Sequence, residues 1–86
     1  MKIVGLHNIE RKPLAVEYRR LYKADAEITA GSATCTTNIE FSLEMSAFGT
    51  YEITVRFLDS PDFPVVPAVN LLRETIAEMN RNRELP

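Results

Sequence analysis

The sequence predicts an α+β fold: an antiparallel β-meander of about four strands, followed by one C-terminal helix packed on one face of the sheet. Three observations predict it. Apolar and polar residues alternate from residue 39 to 57, a glycine turn at residue 31 joins two alternating stretches, and a helical apolar stripe begins only after residue 67. The predicted element order is therefore β-β-β-β-α.

The first ten residues predict a strand, because they carry the apolar residues Ile3, Val4, Leu6 and Ile9. Their spacing leaves open which side of this strand faces the core. Its position in the sheet is equally open, since no turn signal ties it to a neighbour.

Residues 13–30 are compatible with two structures. As a helix, the segment has a suitable composition and Pro13 would occupy its first turn, but Asp25 falls inside the apolar stripe. As a strand, the segment has its apolar residues on even numbers, and Arg20 is the single exception. We favour the strand because the turn that follows supports it.

The tetrapeptide Ala30-Gly31-Ser32-Ala33 is a two-residue hairpin signal with glycine first, as a type II′ turn requires. The register set by this turn brings even-numbered apolar residues opposite odd-numbered ones in the next strand. It also places Lys23 opposite Glu40 and Arg19 opposite Glu44. A slip of one residue would oppose apolar to polar side chains throughout, so turn and pattern specify the same pairing.

The second hairpin covers residues 39–57 and has the three-residue loop Ala47-Phe48-Gly49. Its two apolar sets both fall on odd numbers, and the loop satisfies this parity by pairing Ser46 with Thr50. Gly49 supplies the left-handed conformation that this loop type needs at its third position. The first strand of this hairpin is therefore also the partner of the strand before it.

Residues 60–67 contain three prolines, which cannot join a hydrogen-bonded ladder and predict an extended connector. Pro67 suits the first turn of a helix that would run to about Arg83. One face of that helix carries an apolar stripe, formed by Ala68, Val69, Leu72, Ile76 and Met79.

Length and composition predict a single small α+β domain covering residues 1–86. The net charge of −2 is too small to indicate a polyanionic partner. With Cys35 as its only cysteine, the chain cannot form an intrachain disulfide, which small secreted domains usually need. The N-terminal apolar run is too short for a signal peptide and no segment could span a membrane. We therefore expect a cytoplasmic protein that does not bind membranes.

No set of residues predicts catalysis. The register does not bring His7 and Cys35 together, as a catalytic Cys–His pair would require. Glu44 and Glu52 are predicted neighbours, but on an exposed face where a solvated charge ladder is the ordinary arrangement. We expect no catalytic residue, metal, cofactor or small-molecule substrate, and hence a protein that is not an enzyme.

Basic residues concentrate between residues 11 and 23, with Tyr18 and Tyr22 among them. Basic and aromatic groups on a sheet can bind single-stranded nucleic acid, but here the tyrosines are predicted on the inner face and most basic groups on the outer. Nucleic-acid binding is therefore the alternative hypothesis. The residues that would contact an anion or a nucleic acid are Arg11, Lys12, Arg19, Arg20 and Lys23.

Arg20 interrupts the apolar face of its strand, and an unpaired guanidinium buried there would be costly. It could reach past the sheet edge, occupy a bulge, or pair with a helix carboxylate such as Glu78. The functional interpretation is an anion-binding arginine between the sheet and the helix.

The predicted helix is too short for the predicted sheet. From residue 67 to 83 it would be about 25 Å long, whereas a straight strand from residue 14 to 30 would span about 55 Å. Sheet curl, the first strand or another chain could cover the remainder, unless the strands are shorter than the pattern. The candidate interface is the set of small residues at the uncovered end, Ala26, Ile28, Cys35 and Thr37. The leading hypothesis is thus a non-enzymatic protein-interaction module, working as a homodimer or an adaptor subunit.

Overall fold

Four antiparallel strands form one sheet in sequence order, and a single helix lies on one face. The structure is a computed structural model that describes residues 1–86. The strands are β1 (Lys2–Lys12), β2 (Arg19–Ala30), β3 (Ala33–Met45) and β4 (Tyr51–Phe57), and the helix is α1 (Val65–Arg81). The predicted fold class, an antiparallel meander with a C-terminal helix, is confirmed. Helix α1 is neither long nor apolar enough to cross a bilayer.

Both predicted hairpin registers are confirmed. In β2 and β3, Lys23 lies opposite Glu40 and Arg19 opposite Glu44. Gly31 and Gly49 have φ angles of +64° and +80°, the conformations that their turns require. The second loop closes where the parity of the pattern indicated, since the backbone N–H of residue 46 donates to the carbonyl of residue 50 over 2.8 Å.

The start of β2 differs from the sequence pattern. The strand begins at Arg19 rather than near Leu14, and residues 13–18 form the loop that leads into it from β1. The reason is topological: β1 pairs antiparallel with β2, with Lys12 opposite Leu21, so the intervening residues must reverse the chain. Pro13, which has no N–H for a ladder, marks the beginning of this reversal.

The inner face of the sheet is covered by the chain itself. Helix α1 comes within 8 Å of β1 and β4 between Cα atoms but not of β2 or β3, so the sheet curls around the helix. Phe63 of the proline-rich connector adds to this cover and meets Phe57 edge to face, with 5.5 Å between ring centroids. The buried core consists of Tyr22, Ala24, Ala26, Ile28, Ile39, Phe41, Leu43, Leu72 and Ile76.

Curl and shorter strands together remove the predicted size mismatch. Ala26 and Ile28 are fully buried and Thr37 is nearly so, although the sequence suggested that this end of the sheet would be bare. The helix also begins earlier than predicted, at Val65, so Pro67 lies within its first turn rather than at its start. The opposite face of the sheet carries polar and charged side chains and has no layer over it.

Candidate binding site

Four of the five basic residues singled out from the sequence line one open cavity, where β1 ends and β2 begins. The cavity has a volume of about 410 Å³, and no carboxylate belongs to its lining. We call it the basic cleft; it is lined by Arg11, Lys12, Pro13, Leu14, Arg19 and Arg20. The fold therefore brings together cationic groups that come from two strands and the loop between them.

Most cations of the basic cleft have no acidic partner. The Nζ of Lys12 lies 3.4 Å from Oε2 of Glu10, which is the only ion pair at the cleft. Arg19 donates a long hydrogen bond of 3.5 Å to the hydroxyl of Ser42, although Glu44 is its register neighbour. Exposed pairs such as that of Lys12 contribute little to stability, so the positive charge remains available to a ligand.

Arg20 is held in place by neutral groups, on the helix side of the sheet. Its Nη2 donates to Oδ1 of Asn80 at 2.6 Å, and its Nη1 donates to the hydroxyl of Tyr22 at 3.1 Å. Its guanidinium also lies 5.7 Å from the ring centroid of Tyr51, within cation–π range. The helix partner is thus an amide, and the predicted pairing with Glu78 is not formed.

Exposed apolar side chains lie at the same end of the sheet. We call them the apolar end patch: Leu14, Val16, Tyr18, Met45 and Phe48. The backbone N–H of Met45 donates to the carbonyl of Tyr18 over 2.9 Å, which joins the loop after β1 to the hairpin between β3 and β4. Phe48 at the tip of this hairpin is 94% exposed. Grouped apolar residues on a surface are typical of interaction sites.

Sequence reasoning missed Phe48 as a site residue. A usable signal existed, because a phenylalanine in the middle of a three-residue turn cannot reach the core of its own hairpin. The exposure of Leu14 and Val16 was missed for a different reason: their alternation resembles a strand, but they lie in a loop.

The remaining predicted contacts lie elsewhere. Lys23 is exposed in the middle of β2, between Glu10 and Glu40 in the register, and does not line the basic cleft. Among the predicted interface residues only Cys35 is exposed. The other three lie beneath the chain's own helix and connector and offer no surface to a partner in this fold; they are Ala26, Ile28 and Thr37.

His7 and Cys35 lie on opposite faces of the sheet. Cys35 is directly opposite Ile28, on the helix side, whereas Nε2 of His7 is 3.0 Å from Oε1 of Glu27 on the other side. Glu44 and Glu52 are opposite each other as predicted and are both exposed. No group of three histidine, cysteine, aspartate or glutamate side chains is close enough to hold a metal ion.

Comparison with known proteins gives one match. The model of a protein family that is named by a gene-locus designation, with the prefix BB, matches residues 1–81. That name states no activity, ligand or partner. No curated protein and no solved structure matches the chain. The matched residues include all four strands and the whole of α1, so the match covers both the basic cleft and the apolar end patch. The chain therefore belongs to this BB-locus family.

Proposed function

We propose that this protein is a non-enzymatic protein-interaction module, an adaptor subunit that binds a segment of a partner protein at the basic cleft and the apolar end patch. The observation that carries the proposal is the ring of Phe48, which is 94% exposed at the tip of a hairpin and adjoins four other exposed apolar residues. An aromatic ring in such a position gains nothing for the fold and becomes favourable only when a partner removes it from water.

The chemistry of the site indicates what the partner segment carries. The basic cleft presents guanidinium groups from Arg11, Arg19 and Arg20 without carboxylate partners. Arginine prefers carboxylate or phosphate ligands because its planar donors match their geometry. The favoured occupant is a protein segment in which acidic residues alternate with or adjoin large apolar ones.

We also infer that the protein acts in the cytoplasm. The chain has one cysteine, and its thiol is free and exposed. Such a thiol is compatible with a reducing compartment and would be prone to oxidation outside it.

Fluorescence anisotropy with labelled peptides tests the proposal. One peptide combines Asp and Glu with Leu and Phe, and its charge-reversed counterpart carries Lys in the acidic positions. We expect the acidic peptide to bind the purified protein, and Phe48→Ser to weaken binding about tenfold, equivalent to about 1.4 kcal/mol. Val66→Ser is the matched control, because Val66 is exposed in the first turn of α1, at the far end of the molecule. Equal binding of both peptides, or equal effects of both substitutions, would contradict the proposal.

Nucleic-acid binding is a second candidate, favoured by one observation. Tyr18 is exposed next to Arg19 at the basic cleft, so an aromatic ring and cationic groups occupy the same surface. Stacking on the ring and phosphate contacts could then act together. A labelled single-stranded oligonucleotide should bind at low salt, lose affinity steeply as salt increases, and bind less well to an Arg11→Ala, Arg19→Ala variant. No binding at low salt would exclude this candidate.

A further inference from the structure

We propose that two copies of this chain form a symmetric dimer in which their β4 strands pair antiparallel, about a two-fold axis through Thr54. This interface is distinct from the basic cleft and the apolar end patch, and it does not depend on the function proposed for them. It would join the two four-stranded sheets into one continuous sheet. The evidence is the regularity of the β4 edge and the complementarity of β4 to itself.

The two edges of the sheet differ in their protection. Strand β1 has register shifts between Ile3 and Gly5 and between His7 and Glu10, and Asn8 between them has a φ of +53°. Bulges of this kind interrupt an edge and hinder the addition of another strand. Strand β4 has seven residues, no proline, and an uninterrupted register with β3. The β4 edge is therefore the one suited to receive another strand.

Backbone groups of β4 point outward in a regular row. The N–H of Leu58 donates to the carbonyl of Asn38, and the N–H of Ser46 donates to that of Thr50. Because antiparallel strands alternate between hydrogen-bonded and non-hydrogen-bonded pairs, the even-numbered residues of β4 face β3. The odd-numbered residues direct their N–H and C=O groups to the free edge; these are Tyr51, Ile53, Val55 and Phe57.

One register pairs the whole strand with its copy. It places Thr54 opposite itself, and the outward-facing odd-numbered residues then exchange hydrogen bonds across the seam. Tyr51 meets Phe57 of the second copy, and Ile53 meets Val55 of the second copy. These apolar pairs lie on the helix side, where the residues of β4 already pack against the core of their own chain.

Charge selects the same register. On the polar face, Glu52 lies opposite Arg56 of the second copy, and symmetry makes this contact twice. These are non-hydrogen-bonded pairs, in which side chains approach most closely. Within one chain Glu52 faces Glu44, an unfavourable neighbour, and Arg56 contacts Glu40 over 3.0 Å. The dimer would thus give Glu52 the arginine that its own chain does not place beside it.

Other registers lose this match. A shift by two residues opposes Glu52 to Thr54, or Thr54 to Arg56, and leaves a charge unpaired. A shift by four places two Glu52 side chains, or two Arg56 side chains, opposite each other. A strand that is complementary to itself in its full-length register is what an isologous two-fold interface requires.

Charge reversal tests the interface with the full chain, by light scattering coupled to size exclusion. We expect the wild type to be a dimer at micromolar concentration. Glu52→Arg and Arg56→Glu should each weaken dimerisation by about tenfold or more, because like charges then face each other twice. An equimolar mixture of the two variants should dimerise again, since each seam contact in the mixed dimer pairs an arginine with a glutamate.

Cross-linking provides a second measurement that does not depend on charge. In a Cys35→Ser background, Thr54→Cys places two thiols across the axis at a Cα separation that permits a disulfide. Mild oxidation should cross-link this variant, and should not cross-link the control Thr36→Cys on the polar face of β3. A strictly monomeric wild type, dimerisation unaffected by either charge reversal, or no cross-link at residue 54 would overturn the proposal.

Discussion

Arg20 donates a hydrogen bond of 2.6 Å from Nη2 to Oδ1 of Asn80, and this bond joins β2 to the last turn of α1. The same guanidinium donates to the hydroxyl of Tyr22, which donates in turn to the carbonyl oxygen of Pro86 over 2.8 Å. One half-buried cation thereby connects a central strand, the helix and the residues that follow the helix. The basic cleft consequently has one rigid arginine among more mobile basic side chains.

Asn80→Ala tests the contribution of this connection to stability. We expect the free energy of unfolding to fall by about 1–2 kcal/mol, because a hydrogen bond to a charged group contributes about 1.5–3 kcal/mol and alanine recovers part of this through its higher helix propensity. Urea denaturation measures the change. Asn70→Ala is the control, since Asn70 is exposed on the same helix, and its replacement should leave stability equal or slightly higher. Equal effects of the two substitutions would contradict the role of Arg20.

Gly49 tests the turn that sets the second register. A Cβ at this position would meet no atom within 4 Å, so Gly49→Ala introduces only the strain of a φ near +80°. We expect a loss of about 1–2 kcal/mol in the free energy of unfolding, and a smaller loss for Gly49→Asn because asparagine tolerates this region better. Gly5→Ala, where φ is not positive and the nearest atom is 3.6 Å away, should cost less than either. The reverse order of these costs would rule out backbone strain as the cause.

The sequence was sufficient to predict the hairpins, since turn chemistry and residue parity allow only one register. The start of β2 was not predictable in the same way. Leu14, Val16 and Tyr18 continue the alternation of the strand, but they lie in a loop because β1 pairs beside β2. No local pattern of the sequence carries that neighbourhood, so the alternation was read about five residues too far.

The candidate site was predictable only in part. The basic residues were identified from composition, but their convergence on one cleft depends on where β1 ends relative to β2. The contact between Arg20 and Asn80 depends on the rotation of α1 over the sheet, which helical periodicity leaves open. Sheet curl had the largest effect: it buries Ile28, which simple strand and helix lengths had left uncovered.

Thr37→Val tests a buried hydroxyl. The Oγ1 of Thr37 is the one buried side-chain oxygen or nitrogen without a hydrogen-bond partner. Valine has nearly the same shape and no polar group to desolvate, so we expect the free energy of unfolding to rise by about 1 kcal/mol. Thermal and urea unfolding measure the gain. Thr36→Val, on the exposed face of the same strand, should change stability by less than about 0.5 kcal/mol. A destabilised Thr37→Val variant would show that the hydroxyl has a partner in solution.

The reactivity of Cys35 tests where the self-covered part of the inner face ends. Cys35 is exposed, whereas Thr37, two residues along on the same side of β3, is 7% exposed. The native thiol should therefore react with an aromatic disulfide reagent nearly as fast as in denaturant. In a Cys35→Ser background, Thr37→Cys should react at least about tenfold more slowly, because the reagent must wait for local opening. The rate at Cys35 should also be independent of protein concentration, since the β4 seam lies away from it. A rate that falls as concentration rises would instead place Cys35 in a contact between copies and favour a dimer through this end of the sheet.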